Sequence, residues 1–334
     1  MTERESAASA AAVPRVALGH WPTPLEPCLR LQAEVGGPLV WLKRDDCTGL
    51  AFGGNKTRKL EYLLGDAMQK EATGVVTFGA VQSNHARQTA AACAHVGLPC
   101  DLVLTDAVDR PTDIYRSGGN RLLDDILGAT VHLVADDEGA VIRAGELADE
   151  DPGRYFVDPG GSSPIGALGY VGAAAELVGQ LGAAAVAPLE IVLASSTGGT
   201  AAGLIVGLAA AGFDLPVTAV AVYADEAHTA ATIERLVADT GALLELDVDT
   251  DPGVGAWTVD GDGLGEGYGI ETVESHAALL TLARTEGVLL DPVYTAKAFA
   301  RLVERLPDLD PAGDVVFLHT GGQPGVFAYA DAFS

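Results

Sequence analysis

A chain of 334 residues with 48% apolar and 20% charged residues has room for two domains or one large α/β unit, and it is too apolar to be disordered. Its 46 acidic and 20 basic residues leave a net charge of −26, so neither nucleic acid nor an anionic membrane is an expected partner. Lysines stand only at Lys43, Lys56, Lys59, Lys70 and Lys297, and acid excess with few lysines is the balance of a protein kept in concentrated salt, where screening removes self-repulsion.

Residues 1–12, Ala-rich with early acids, read as a loose tail rather than a secretory signal. Strand 38–43 comes first, then a helix over 56–67 behind a Gly-Gly-Asn turn. Strand 74–78 leads into helix 84–95, and strands 100–104, 130–134 and 155–157 follow. The second half reads as strand 190–194, helix 200–211, strand 217–223, helices 227–240, 274–286 and 295–306, and strand 315–319. Several strands are unbroken apolar runs, as expected where helices cover both sheet faces, and the alternation predicts βαβ units with parallel sheets. Acidic, glycine-rich segments at 247–253 and 260–269 read as surface loops. The apolar stretch 201–213 is too short and glycine-rich to span a bilayer. Cys28, Cys47, Cys93 and Cys100 form no CxxC pair and have no metal-ligand spacing, which fits buried thiols in a reducing cytoplasm. No metal is expected.

Three glycine-flanked loops each precede a helix. In Gly53-Gly54-Asn55-Lys56-Thr57-Arg58-Lys59 a lysine opens the helix, where the macrodipole disfavours a cation. Such a lysine has a depressed pKa and a nucleophilic amine; the alternative is a solvated surface lysine, a residue this composition avoids. Gly79-Ala80-Val81-Gln82-Ser83-Asn84-His85 gathers four polar residues at the carboxyl end of a strand, where ligands sit in open α/β sheets, although Ser83 or Asn84 would also serve as an N-cap. Ser195-Ser196-Thr197-Gly198-Gly199-Thr200 offers close backbone approach, hydroxyls and a helix N-terminus: either an anion cradle or a tight turn without a ligand. It has neither the Walker nor the GxGxxG spacing. His319-Thr320-Gly321-Gly322 ends the last strand at the same sheet edge. An amine nucleophile, a phosphate seat and a polar strand-end loop together point to pyridoxal phosphate.

PTPLEPCLRL, WLKRDDCTGLAFGGNKTRKLEYLL, FGAVQSNHARQTAAACAHVGLPC, SSTGGTAAGL, DPVYTAKAF and HTGGQPGVFAY resemble, in order and spacing, the family of D-cysteine desulfhydrase and 1-aminocyclopropane-1-carboxylate deaminase. The likeness runs from about Leu18 to the C-terminus. It implies the tryptophan-synthase-β-like, fold-type-II architecture: two open twisted parallel-sheet domains with the cofactor between them. Residues 13–59 and 166–334 would form the large domain and 60–165 a smaller insert, in a cytoplasmic homodimer. Lys56 would carry the cofactor as a Schiff base, with Asn55 beside it. Lys59, Thr197, Gly198, Gly199 and Thr200 would hold the phosphate, and Asn84 the ring hydroxyl. The substrate carboxylate would fall to Gln82, Ser83, Asn84 and His85, and Tyr268 and Tyr294 would be the paired active-site tyrosines. The first tyrosine loop is more acidic than the family pattern, and His85 stands where the deaminases tend to carry glutamine.

The resemblance also points to a branch. The cyclopropane-opening enzymes carry glutamate directly after the DPVY tyrosine and leucine where this chain has Thr320; here both positions, Thr295 and Thr320, are hydroxyls that would meet the ring nitrogen. β-Elimination of D-cysteine to pyruvate, ammonia and sulfide is therefore expected. L-Cysteate desulfonation and cyclopropane opening are the rivals within the family, and a non-catalytic phosphate-binding α/β protein is the rival outside it.

Overall fold

The computed structural model describes residues 13–106, 108–246 and 256–333. The tail read over 1–12 and the loop read over 247–253 lie outside them. The chain opens with β1 (Leu25–Pro27), α1 (Leu29–Val35), β2 (Leu39–Arg44) and α2 (Lys56–Gln69). Next come β3 (Gly74–Ala80), α3 (Asn84–Val96), β4 (Cys100–Thr105), α4 (Asp113–Ser117), α5 (Gly119–Ile126), β5 (Thr130–Val134), α6 (Asp137–Glu150) and β6 (Arg154–Phe156). α7 (Pro164–Ala184), β7 (Pro188–Ser195), α8 (Gly199–Ala210), β8 (Val217–Ala221), α9 (Glu226–Leu243) and β9 (Trp257–Asp260) follow. The chain closes with α10 (Val273–Glu286), α11 (Thr295–Arg305), β10 (Asp314–His319) and α12 (Pro324–Ala328).

These strands make two sheets. The larger has the order β1-β2-β10-β7-β8-β9, parallel except for β1, and the smaller has the order β5-β4-β3-β6, parallel throughout. All four strands of the smaller sheet fall within residues 74–156, so the chain leaves the larger sheet after β2 and returns to it at β7. α7, α8 and α9 cover one face of the larger sheet and α1, α10 and α11 the other. This two-sided burial explains the unbroken apolar strands. No helix among the described residues is long and apolar enough to cross a membrane.

α8 is buried nearly all round because small residues let α7 lie against it: a Cβ on Gly203 would come within 2.4 Å of the Ala167 carbonyl oxygen. The other side of α7 meets α2, where a Cβ on Gly169 would fall 2.3 Å from the Arg58 carbonyl oxygen. α2 is pinned there by its own charge. The Arg58 guanidinium donates to both carboxylate oxygens of Asp45, at 2.8 and 2.9 Å, and to Glu176 at 2.9 Å, under the Trp21 ring. Removing one member of such a buried pair costs about 3–5 kcal/mol, because the partner is left charged and dry. Arg58 thus fixes the helix that presents Lys56 and Lys59.

Candidate active site

Lys56 is the first residue of α2 and is reached through Gly53 and Gly54, both at positive φ. At Gly54 a Cβ would meet Gln88 Nε2 at 2.6 Å, and at Gly53 one would meet the Asp46 carbonyl oxygen at 2.1 Å, so only glycine fits there. Arg87 on α3 donates to the carbonyl oxygens of Ala51 and Gly53. The Asn55 N–H donates to the Thr320 carbonyl oxygen, and its side-chain amide to Thr200 Oγ1, both at 2.9 Å. The lysine loop is thereby joined to β10 and to α8. Burial, aided by the Arg87 charge and opposed by Asp291, brings the Lys56 amine down to about 8.

Beside Lys56 lies a narrow cavity lined by Lys59, Asn55, Asn84, the loop Ser195–Thr200 and Thr320. Gly198 is the left-handed N-cap of α8 and offers no side-chain cap, so beyond the Gly199 amide, which bonds Thr197 and Ser162, the next amides of the first turn are open to a ligand. Lys59 Nζ donates to the Gly160 carbonyl oxygen and to Ser162 Oγ. Burial and the neighbouring Lys56 charge hold it well below the ordinary lysine value. Ser162 Oγ lies 2.7 Å from Thr197 Oγ1 and accepts from the Gly199 amide. A Cβ on Gly199 would intrude to 2.6 Å from Ser162 Oγ, and the buried Ser195 hydroxyl has no partner among the described residues. Open amides, hydroxyls and a buried lysine, which a bound anion would keep protonated, suit a dianionic phosphate.

A second cavity of about 270 Å³ adjoins it and shares Lys56, Asn84 and Tyr294. Ser83, N-cap of α3, and His85 line it from the smaller sheet, and Tyr268 and Tyr294 from the larger. The two tyrosine hydroxyls are 2.5 Å apart. Burial is the main cause that raises Tyr268 to about 12 and Tyr294 well above its ordinary value, so both are neutral at physiological pH. The Thr77 hydroxyl donates to the Val157 carbonyl oxygen and so accepts from His85 Nε2–H at 2.9 Å. His85 Nδ1 is then a bare, buried acceptor. Burial, with the charges of Lys56 and Lys59, keeps the ring neutral by holding its pKa well below 6.5.

The structure brings together Asn55, Lys56, Lys59, Ser83, Asn84, His85, Thr197, Gly198, Gly199, Thr200, Tyr268, Tyr294 and Thr320. Two expected members stay outside. Gln82 turns away: its amide donates to the carbonyl oxygens of Tyr115 and Gly118 and its oxygen accepts from the Asn120 N–H. Thr295 donates to Asp291 Oδ1 at 2.6 Å and accepts from the Asp291 N–H, so its hydroxyl is tied to Asp291 instead of entering the cavity. The segment read as a surface loop over 260–269 begins in β9 and then delivers Tyr268 inward. Lys297 holds it there by donating to the carbonyl oxygens of Leu264 and Gly267. Ser162, Gly160 and Asn120 were missed, although Asp158-Pro159-Gly160-Gly161-Ser162-Ser163 before α7 repeats the glycine-pair-and-hydroxyl signal of the other loops. Asn120 donates to Asn84 Oδ1 at 2.8 Å and fixes that amide's orientation.

The family described as "Pyridoxal-phosphate dependent enzyme" matches residues 16–321. The chain belongs to that family, and pyridoxal phosphate is its cofactor. It is 39% identical to a 1-aminocyclopropane-1-carboxylate deaminase of Burkholderia multivorans, over 96% of this chain and 98% of that protein. It is also 39% identical to a D-cysteine desulfhydrase of Klebsiella pneumoniae, over 95% and 96%. A solved structure described as an ACC deaminase homologue superposes with a TM-score of 0.87 at 37% identity, covering 98% of both chains. At 21% identity, a fungal L-serine ammonia-lyase from Rhizomucor miehei shares the fold with a TM-score of 0.69.

Proposed function

We propose that the protein is a D-cysteine desulfhydrase that eliminates hydrogen sulfide from D-cysteine and releases an enamine, which hydrolyses to pyruvate and ammonia. The observation that carries this reading is the chemistry of the narrow cavity. Its described lining offers hydroxyls, amides and two lysines but no carboxylate, and Thr320 is the hydroxyl at the end of β10. Asp291, the nearby buried acid, is occupied by the amides of Val293, Tyr294 and Thr295 and by the Thr295 hydroxyl. Bound pyridoxal phosphate supplies an electron sink for charge developing at the substrate Cα; without a carboxylate to keep the ring nitrogen protonated the sink is weaker, which suits a departing thiolate better than ring opening. Near-equal identity to relatives of both names leaves the choice to this chemistry.

The chain's own groups then divide the work. Lys59, Ser162 and the open amides of α8 hold the phosphate. Ser83 with the first amides of α3 seats the substrate carboxylate at a helix N-terminus. The Lys56 amine, poised near neutral pH, takes the Cα proton, and the neutral Tyr268–Tyr294 pair delivers a proton to the leaving sulfur. Assaying D-cysteine, L-cysteate, D-serine and 1-aminocyclopropane-1-carboxylate side by side tests the reading: D-cysteine is expected to give the highest kcat/KM. Ring opening at least as fast as sulfide release defeats it.

A further inference from the structure

The rim of the larger cavity carries a carboxylate that the account above leaves idle. Asp137 opens α6, behind the smaller sheet, and lines the cavity opposite Tyr223, which follows β8 in the larger sheet. The Tyr223 ring stands edge-on to Tyr268 at 5.0 Å, so its position is tied to the active tyrosine pair. Burial first, and then the Asp137 charge, holds the Tyr223 phenol above its ordinary value, so it faces the acid as a neutral donor. None of the ion pairs between described residues includes Asp137. Asp136, the residue before it, does the capping of α6 and leaves Asp137 free of that task.

The basic groups in the described lining of this cavity are Lys56 and His85. Lys56 belongs to the cofactor, and His85 is neutral. A substrate α-carboxylate has its seat at the start of α3, but a second anion has no cation to receive it. An incoming sulfonate, phosphate or second carboxylate on Cβ would instead meet Asp137, an exposed acid at the mouth of the cleft whose repulsion is strongest at low salt. A thiol or hydroxyl would not.

We propose that Asp137 is a specificity-determining residue that rejects amino acids whose β-substituent is anionic, with Tyr223 as the positioning residue that keeps the carboxylate turned to the cavity. The inference rests on the preceding section for the seat of the substrate α-carboxylate, and it deepens that reading by separating thiol from sulfonate substrates.

The test is ligand binding to the holoenzyme, followed through the absorbance of the bound cofactor, with D-serine as the neutral probe and both enantiomers of cysteate and D-aspartate as anionic probes. In the unaltered protein at low salt the anionic probes are expected to bind at least about tenfold more weakly than D-serine, the size of a like-charge contact in a partly screened cleft. Asp137→Asn should lower that ratio by about tenfold, Asp137→Lys should invert it, and Asp137→Glu should restore it. Molar salt should narrow the ratio in the unaltered protein and leave it constant in Asp137→Asn, a dependence that a merely structural role would not produce. Tyr223→Phe should give an intermediate ratio. An unaltered protein without the gap, or an Asp137→Asn variant with the same ratio as the parent, overturns the proposal. Failure to release sulfide from D-cysteine while the charge ranking persists would overturn the desulfhydrase reading alone.

Discussion

Tyr268 and Tyr294 stand 26 residues apart in the chain and hydrogen-bond through their hydroxyls at 2.5 Å, in the cavity lining that also holds Lys56. With both phenols raised, neither is a base at neutral pH, and in the proposed mechanism the pair is a relay that gives up a proton and regains one. Tyr294→Phe and Tyr268→Phe should each lower kcat by about 10²-fold, the low end of what a positioned acid contributes, with little change in KM. Their melting temperatures should fall only slightly, because one exchanged hydrogen bond is worth about 1 kcal/mol. A parallel rise in KM would show the pair binding substrate instead.

The depressed Lys56 amine gives a pH test. Its folded pKa of about 8 lies below the ordinary 10.5, mainly through burial, so the neutral amine becomes the major form as pH rises through 8. Uptake of pyridoxal phosphate by the apoprotein should accelerate between pH 7 and 9 and then level off. A midpoint above 10 would mean a solvated lysine. Lys56→Ala should lose the visible absorbance of the bound cofactor.

Thr295 is the less tractable half of any attempt to convert the branch. Placing glutamate there removes two hydrogen bonds to Asp291 and buries a second carboxylate beside it, at an expected cost of about 2–4 kcal/mol. Thr320→Leu, at a residue that lines the narrow cavity, should be tolerated better. Chemical denaturation of the two single variants checks the order, and equal losses would contradict it.

Asp124 on α5 is buried with neither carboxylate oxygen hydrogen-bonded among the described residues, and burial lifts it to about 8 against the opposing charges of Arg121 and Arg87. A carboxyl raised in the folded state is harmless at acid pH and costs stability as pH climbs from about 4 toward 8. Asp124→Asn should therefore gain in melting temperature relative to the parent across that window, with the gap widest above pH 8. A gap independent of pH would mean that the carboxyl is ionised in the fold.

The net charge of −26 predicts that stability rises with salt, since added ions screen a self-repulsion that 20 basic residues cannot offset. Melting curves from dilute buffer to several molar potassium chloride should shift steadily upward. Full stability in dilute buffer would show that the excess acids are spaced beyond each other's reach.

What the sequence disclosed and what it withheld follow from local chemistry. The three glycine-flanked loops were legible because a strand, a small-residue turn and a helix start lie within a dozen residues of one another. Lys56, Ser83 and the Thr197–Thr200 cradle stand in those loops. α7 escaped notice because its glycines and alanines are spread around the whole helix, packed on α2 and α8 alike, and leave no apolar stripe to detect. β1 and β9 are edge strands of three and four residues, too short for alternation to show. Gln82 and Thr295 lie outside the cavity for the opposite reason. Each sits in a motif whose neighbours face the cavity, while its own side chain satisfies backbone or carboxylate groups behind the wall.

Lys56 and Lys59 are three residues apart on one helix, so the offset between the proposed reactive amine and the proposed phosphate anchor is set by helix geometry, about 4.5 Å along the axis, rather than by the packing of separate elements. The helix is a ruler. Inserting one residue between the two lysines would turn Lys59 by about 100° about the axis and move it about 1.5 Å along it relative to Lys56. The same insertion elsewhere in the chain would leave their spacing intact.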